Sequence, residues 1–213
     1  MQLRFSNSIT LCLFFLFSLL GSNFALGTSS LSVHTDKSVY EYGDHLSLIF
    51  EVSNLTGDPI TIKIIDDSGK SSSPFPVPIS KLKSNTTSAA AFYKTSFKPG
   101  TYHIHAQYSG SDADTVFTLI DSGKIAIPPQ YKILVKLWSE GQQPTDTNFA
   151  NVIRDLIQYD IIQIPELQNK TNNSVHIPAW IKNDAKWWSE DLITDNDFGL
   201  GIQYLIKAKI MTV

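Results

Sequence analysis

The residues best suited by type and spacing to do chemistry are His103 and His105, which flank Ile104 in the run Tyr102 to Gln107 (YHIHAQ). Positions i and i+2 of a strand project from one face, so this pair can bring two imidazoles to one metal ion. Tyr102, Ile104 and Ala106 would then point into a core. His34 and His45 stand on other expected strands and are the histidines that could join the pair. A second group is acidic: Glu190, Asp191, Asp195 and Asp197 suggest calcium. They miss the glycine and the spacing of a calcium loop, and helix capping accounts for them. A third group, Trp187 and Trp188, could stack on a sugar, but core packing with one ring partly exposed is the expected role.

Other chemistries find no residues. There is no G-x-S-x-G elbow and no H-E-x-x-H helix. Cys12 is the only cysteine and lies in the apolar N-terminal run, so the mature chain would hold no disulfide, zinc-thiolate site or cysteine nucleophile. With no His₂Cys set, a blue-copper centre is excluded. Asp67-Ser68-Gly69-Lys70-Ser71 has the ending of a phosphate-binding loop, but Ile64 occupies the earlier glycine position and no helix can start in the Ser/Pro-rich stretch that follows, so it is expected to be a turn.

Two kinds of element must position these groups. From Leu31 to Ile120 the sequence alternates in short runs broken by turn residues, the pattern of an antiparallel sandwich of about seven strands over residues 28–121. His45 to Asn54 is the clearest strand, with Leu46, Leu48, Phe50 and Val52 on one face. Pro59 to Asp66, Thr87 to Phe97, Thr101 to Tyr108 and Thr115 to Ile120 supply further strands. Ser71 to Ile79 carries three prolines and should be an edge strand or loop. Tyr102, after Pro99-Gly100-Thr101, occupies the place of a corner tyrosine whose hydroxyl bonds nearby backbone.

The rest is helical and internally repeated. With Trp138 aligned on Trp188, Ile127-Pro128 falls on Ile177-Pro178, Lys132 on Lys182, and Ser139-Glu140 on Ser189-Glu190. After a one-residue gap, Thr145-Asp146, Phe149, Ile153, Leu156, Ile157 and Ile161 fall on Thr194-Asp195, Phe198, Ile202, Leu205, Ile206 and Ile210. Each unit, 125–165 and 177–213, predicts a helical hairpin, with the polar linker 166–176 between them. In the second unit Ile181, Ala185 and Trp188 form one buried stripe. Thr194 and Asp197 are spaced as a capping box, and Phe198, Ile202, Leu205, Ile206 and Ile210 are expected to be buried. Hairpins this short cannot close a core alone, so the units must pack on each other or on the sheets.

Residues 1–27 read as an export signal: Arg4, an uncharged apolar run from Ile9 to Leu20, then the small residues Ala25 and Gly27. The run is too short to span a bilayer, and no membrane span is expected after cleavage. Removing it leaves 16 basic and 20 acidic residues, a charge of −4, with no basic stripe for nucleic acid. Sequons at Asn54, Asn85, Asn169 and Asn172 mark candidate glycosylation sites.

Three resemblances add to this reading. The sheet region, opening TDKSVYEYGD and closing PGTYHIHAQYSGSDADTVFTL, resembles immunoglobulin-like modules of surface proteins of ammonia-oxidising archaea. Ile177 to Met211 resembles a repeat at the ends of exported archaeal proteins, of the form IPxWIKNxAxWW…DxDFxxGIQYLIKxxIM; the first unit departs from it at Gln130 and Val152. Tyr102 to Gln107 is similar to the copper-binding Tyr-His-X-His segment in the B subunit of particulate methane and ammonia monooxygenases. That likeness implies His103 and His105 as copper ligands, with His34 in place of the family's N-terminal histidine. The expected protein is a secreted or envelope-displayed, non-enzymatic binding or structural protein whose partner is a cell-envelope protein or glycan. The alternative is an extracytoplasmic copper-binding protein.

Overall fold

Period-two burial governs the first half of the chain. The computed structural model describes residues 29–142, 145–164 and 175–213, so the expected leader, most of the polar linker, Asn169 and Asn172 lie outside the described residues. The strands are β1 (Leu31–Thr35), β2 (Val39–Glu41), β3 (His45–Val52), β4 (Ile60–Asp66), β5 (Phe75–Val77), β6 (Lys83–Ala91), β7 (Gly100–Tyr108) and β8 (Ser111–Ile120). They build a three-stranded sheet, β1-β3-β6, and a five-stranded sheet, β2-β8-β7-β4-β5. In β3, Leu46, Leu48, Phe50 and Val52 are buried while His45 and Glu51 are exposed, because alternate side chains leave opposite faces of a pleated strand. One apolar cluster takes Val33, Leu48 and Phe50 from the smaller sheet and Ile62, Ile104 and Phe117 from the larger.

Several expectations are met residue by residue. Tyr102 donates its hydroxyl hydrogen to the Lys98 carbonyl at 2.8 Å while its ring stacks on Phe117. The proline-rich β5 lies at a sheet edge, where Pro76 cannot interrupt a central ladder. Asp66 accepts hydrogen bonds from the Ser68 and Lys70 amides, which makes the 67–70 segment a turn.

Others are corrected. The sheets are not wholly antiparallel, since β2 runs parallel to β8, with Tyr40 opposite Leu119. The described residues form eight strands rather than about seven, the three-residue β2 being too short for alternation to reveal. β6 spans Lys83–Ala91 rather than Thr87 to Phe97. β8 starts at Ser111, four residues earlier than Thr115, because Ser109 (φ 46°) and Gly110 (φ 84°) both take left-handed conformations and close a two-residue hairpin.

The helices are α1 (Pro129–Ser139), α2 (Asp146–Gln158), α3 (Ile181–Ser189) and α4 (Asp195–Lys207). α1 and α2 form one pair and α3 and α4 the other, and corresponding positions make corresponding contacts. Trp138 stacks on Phe149 at 4.2 Å and Trp188 on Phe198 at 4.3 Å. The indole N–H of Trp138 donates to Asp146 at 3.3 Å, and that of Trp188 to Asp195 at 2.8 Å. The pairs also reach across to each other: the Lys132 ammonium lies 5.5 Å from the Trp188 ring and the Lys182 ammonium 5.3 Å from the Trp138 ring.

α4 carries the expected capping box, with Thr194 accepting from the Asp197 amide and the Asp197 side chain accepting from the Thr194 amide. α2 has Thr145 in the same place but no side-chain cap. Ile210 is a correction: it is 40% exposed, whereas its counterpart Ile161 is 3% exposed. Both units turn at a left-handed residue, Asp160 and Lys209, and both bury the second residue after it, Ile162 and Met211, so the units differ only at the residue between.

The halves meet at the connector 122–128. Ile125 and Ile127 enter the helical core, while Ala126 between them enters the core of the sheets. The Ile125 and Ile127 amides donate to Asn196 and Asp195 at the start of α4. Lys94, on the β6–β7 loop, pairs with Asp121 at 2.7 Å and Asp160 at 3.6 Å, and donates to the Asp160 carbonyl. The Lys94 side chain is 11% exposed, while Asp121 and Asp160 keep 30% and 50% of theirs in contact with water.

Candidate functional site

The period of β7 places Tyr102, Ile104 and Ala106 in the core and leaves His103 and His105 on the outer face, as expected. Register then determines their company. His105 stands opposite Lys63 on β4 and Asp114 on β8; His103 stands opposite Ile65 and Val116. Both nitrogens of His105 are beside carboxylates, Nδ1 at 2.8 Å from Asp114 and Nε2 at 3.4 Å from Asp112.

His34 is not brought to this pair. It is exposed on β1 of the other sheet, with the shared core between. His45 is on that sheet too, held by a 2.8 Å hydrogen bond to the Ser88 carbonyl. Among the described residues no group of three or more His, Cys, Asp or Glu side chains could hold a metal ion. The copper resemblance therefore finds two imidazoles on one face with no third donor grouped with them among the described residues, Asp114 holding Nδ1 of His105 and leaving its Nε2 without a hydrogen bond.

The acids of the second helical pair have structural employment. Asp197 caps α4, and its carboxyl is held below the ordinary value by hydrogen bonds from Thr194. Asp195 accepts from the Trp188 indole and pairs with Lys132 at 3.3 Å, and Asp191 also pairs with Lys132. Burial alone would lower the Lys132 ammonium, but Asp191 and Asp195 outweigh it and raise it above the usual lysine value.

Trp188 is fully buried, whereas Trp187 is 48% exposed, which matches core packing with one free ring. Trp180 and Tyr204 are also exposed, at 50% and 66%. Trp180, Asp184 and Trp187 stand at i, i+4 and i+7 on α3 and its cap; Asp197, Gly201 and Tyr204 repeat that spacing on α4. Between the two stripes opens a cavity of about 70 Å³ with Ile181 and Phe198 in its floor and Asp184, Asp197 and Gly201 at its edge.

Burial raises the Asp184 carboxyl above its usual value. Sequence reading did not find this cavity. The signal was present in the departure of the first unit, where Val152 replaces Gly201 and is 5% exposed. Asn54 and Asn85 are exposed, on a turn and on β6 respectively. Among the described residues no helix is long and apolar enough to cross a membrane.

No family model and no curated protein sequence matches the chain. Among solved structures, the sulfur carrier protein SoxY from Chlorobium limicola f thiosulfatophilum is 15% identical over 43% of this chain and 78% of that one, with a TM-score of 0.24. The PKD domain of an M14-like peptidase from Thermoplasmatales archaeon SCGC AB-540-F20 is 18% identical over 42% and 91%, with a TM-score of 0.25. Titin kinase with its flanking domains is 12% identical over 45% and 17%, with a TM-score of 0.28. Each score lies too low to establish a shared fold, and the chain is similar to these proteins without being assigned to any of their families.

Proposed function

We propose that this is an exported, envelope-displayed, non-enzymatic binding protein, in which an immunoglobulin-like sandwich holds a pair of helical repeats against its end. The observation that carries the reading is the surface of the second helical pair. Trp180, Trp187 and Tyr204 are exposed there although the same pair buries Trp188 and Phe198 completely or nearly so. Large aromatic rings left in water on an otherwise well-packed element mark contact surfaces.

The test is recovery of the full chain from fractionated cells. The protein should sediment with envelope material and be released by salt or mild detergent. Recovery only as a free soluble monomer would sink the reading.

A second reading, copper binding outside the cytoplasm, is favoured by the projection of His103 and His105 from one strand face. Copper titration followed by electron paramagnetic resonance should then show a stoichiometric nitrogen-ligated signal that disappears in a His103→Ala, His105→Ala variant. Absence of that signal removes the copper reading and leaves the first intact.

A further inference from the structure

The cavity between α3 and α4 differs from its counterpart in the first helical pair in a consistent direction. Where the second pair has Trp180, Asp184 and Trp187, the first has Gln130, Leu134 and Leu137. Where the second has Asp197 and Gly201, the first has Asn148 and Val152. Val152 is buried and closes the place that Gly201 leaves open. A Cβ at Gly201 would meet nothing within 4 Å, so packing does not demand this glycine.

Asp184 is half-buried at the cavity edge and takes no hydrogen bond or ion pair from the described residues. A carboxylate withdrawn from water and left without a cation is costly, and a positive group arriving there recovers that cost. The neighbouring Asp197 adds negative charge. The chain itself shows what its tryptophans accept, since both Trp138 and Trp188 have a lysine ammonium over the ring.

We propose that this cavity, edged by Asp184 and Gly201 and flanked by Trp180 and Trp187, receives the side chain of a lysine from a partner protein. The ammonium pairs with Asp184 and the four-carbon stem lies on the apolar floor, with Trp180 and Trp187 standing one turn to either side of Asp184 on α3 and its cap. A single carboxylate at the rim of an apolar cavity suits a compact point charge on a flexible stem better than a planar fork that asks for bidentate partners. A neutral sugar could stack on the rings but would leave the carboxylate charge unmatched. The assignment rests on the binding role proposed above and names the chemistry of its partner.

The test is titration of the full chain with the pentapeptide acetyl-Gly-Gly-Lys-Gly-Gly-amide, followed by tryptophan fluorescence and calorimetry. Its Nε-acetyl-lysine form, its arginine form and a neutral chitotetraose serve as comparisons. The lysine peptide should bind, its acetylated form should not, and arginine should bind more weakly. Asp184→Asn and Gly201→Val should each weaken lysine binding by about tenfold or more, the loss of roughly one good ionic or packing contact.

Circular dichroism of both variants establishes that they fold. Equal binding of the acetylated peptide, binding unchanged in Gly201→Val, or response to chitotetraose alone would each overturn the proposal. Envelope recovery separates this assignment from the broader reading. Sedimentation with envelopes but no lysine binding removes the cavity assignment only, whereas lysine binding by a protein found only free in solution removes the envelope reading and keeps the cavity.

Discussion

The two helical pairs share a frame and differ in what they do with its spare positions. Both stack tryptophan on phenylalanine, hold the indole N–H with an aspartate and send a lysine over the other's tryptophan. The first pair buries Val152 at the position where the second has Gly201, and there the second opens a small cavity lined by apolar side chains and by Asp184 and Asp197. Positions that touch the common core thus coincide between the pairs, as packing density requires, while positions beside it are free to differ.

The comparison breaks most severely at the shared tryptophans. Trp138→Ala and Trp188→Ala should each destabilise by about 3–5 kcal/mol in denaturant titration, because each ring is fully buried and its cavity cannot collapse. A large difference between the two would show that the pairs do not contribute equally to one core.

Next comes Gly199, where a Cβ would stand 2.6 Å from Ile125 Cδ1 and 2.9 Å from its Cγ2. Gly199→Ala should destabilise, the packing cost of about 1–3 kcal/mol exceeding a helix-propensity gain of up to about 1 kcal/mol. The first pair suggests the rescue, since Ala150 and Val175 occupy the corresponding positions. Adding Ile125→Val should recover part of the loss, and a strictly additive double-mutant cycle would refute the contact.

A smaller effect separates the caps. Thr194→Ala should cost about 1 kcal/mol, whereas Thr145→Ala, which removes no side-chain cap, should cost much less. Smallest is Gly201→Ala, expected to stabilise by about 0.5–1 kcal/mol because open space awaits the methyl group and helix propensity rises. Destabilisation at Gly201 would mean that the groove is needed for folding and not kept for a ligand.

Local patterns were legible before the structure. The faces of β3 and β7, the corner hydrogen bond of Tyr102, the stripe of Ile181, Ala185 and Trp188 and the Thr194–Asp197 cap all follow from period and spacing within a few residues. What was missed depends on chain segments remote in sequence. β2 is three residues long and joins β8 in parallel, and no periodicity announces such a pairing. His34 fell short of His103 because the allocation of strands between two sheets is not encoded in the alternation of either. Ile210 was expected inside as the continuation of the α4 stripe, but α4 ends at Lys207 and the left-handed Lys209 breaks the helical period before Ile210 is reached. The groove at Gly201 could have been suspected from the alignment, but only burial of Val152 shows that the substitution opens space.

The connector has a mechanical consequence. Because Ile125 and Ile127 are anchored among the helices and Ala126 among the strands, there is no slack between the halves. A pull on the helical end of the protein is handed through Ala126 straight into the interior of the sheets, with the Lys94 latch bearing load alongside it. Under tension the molecule would yield as one body instead of paying out like beads on a string.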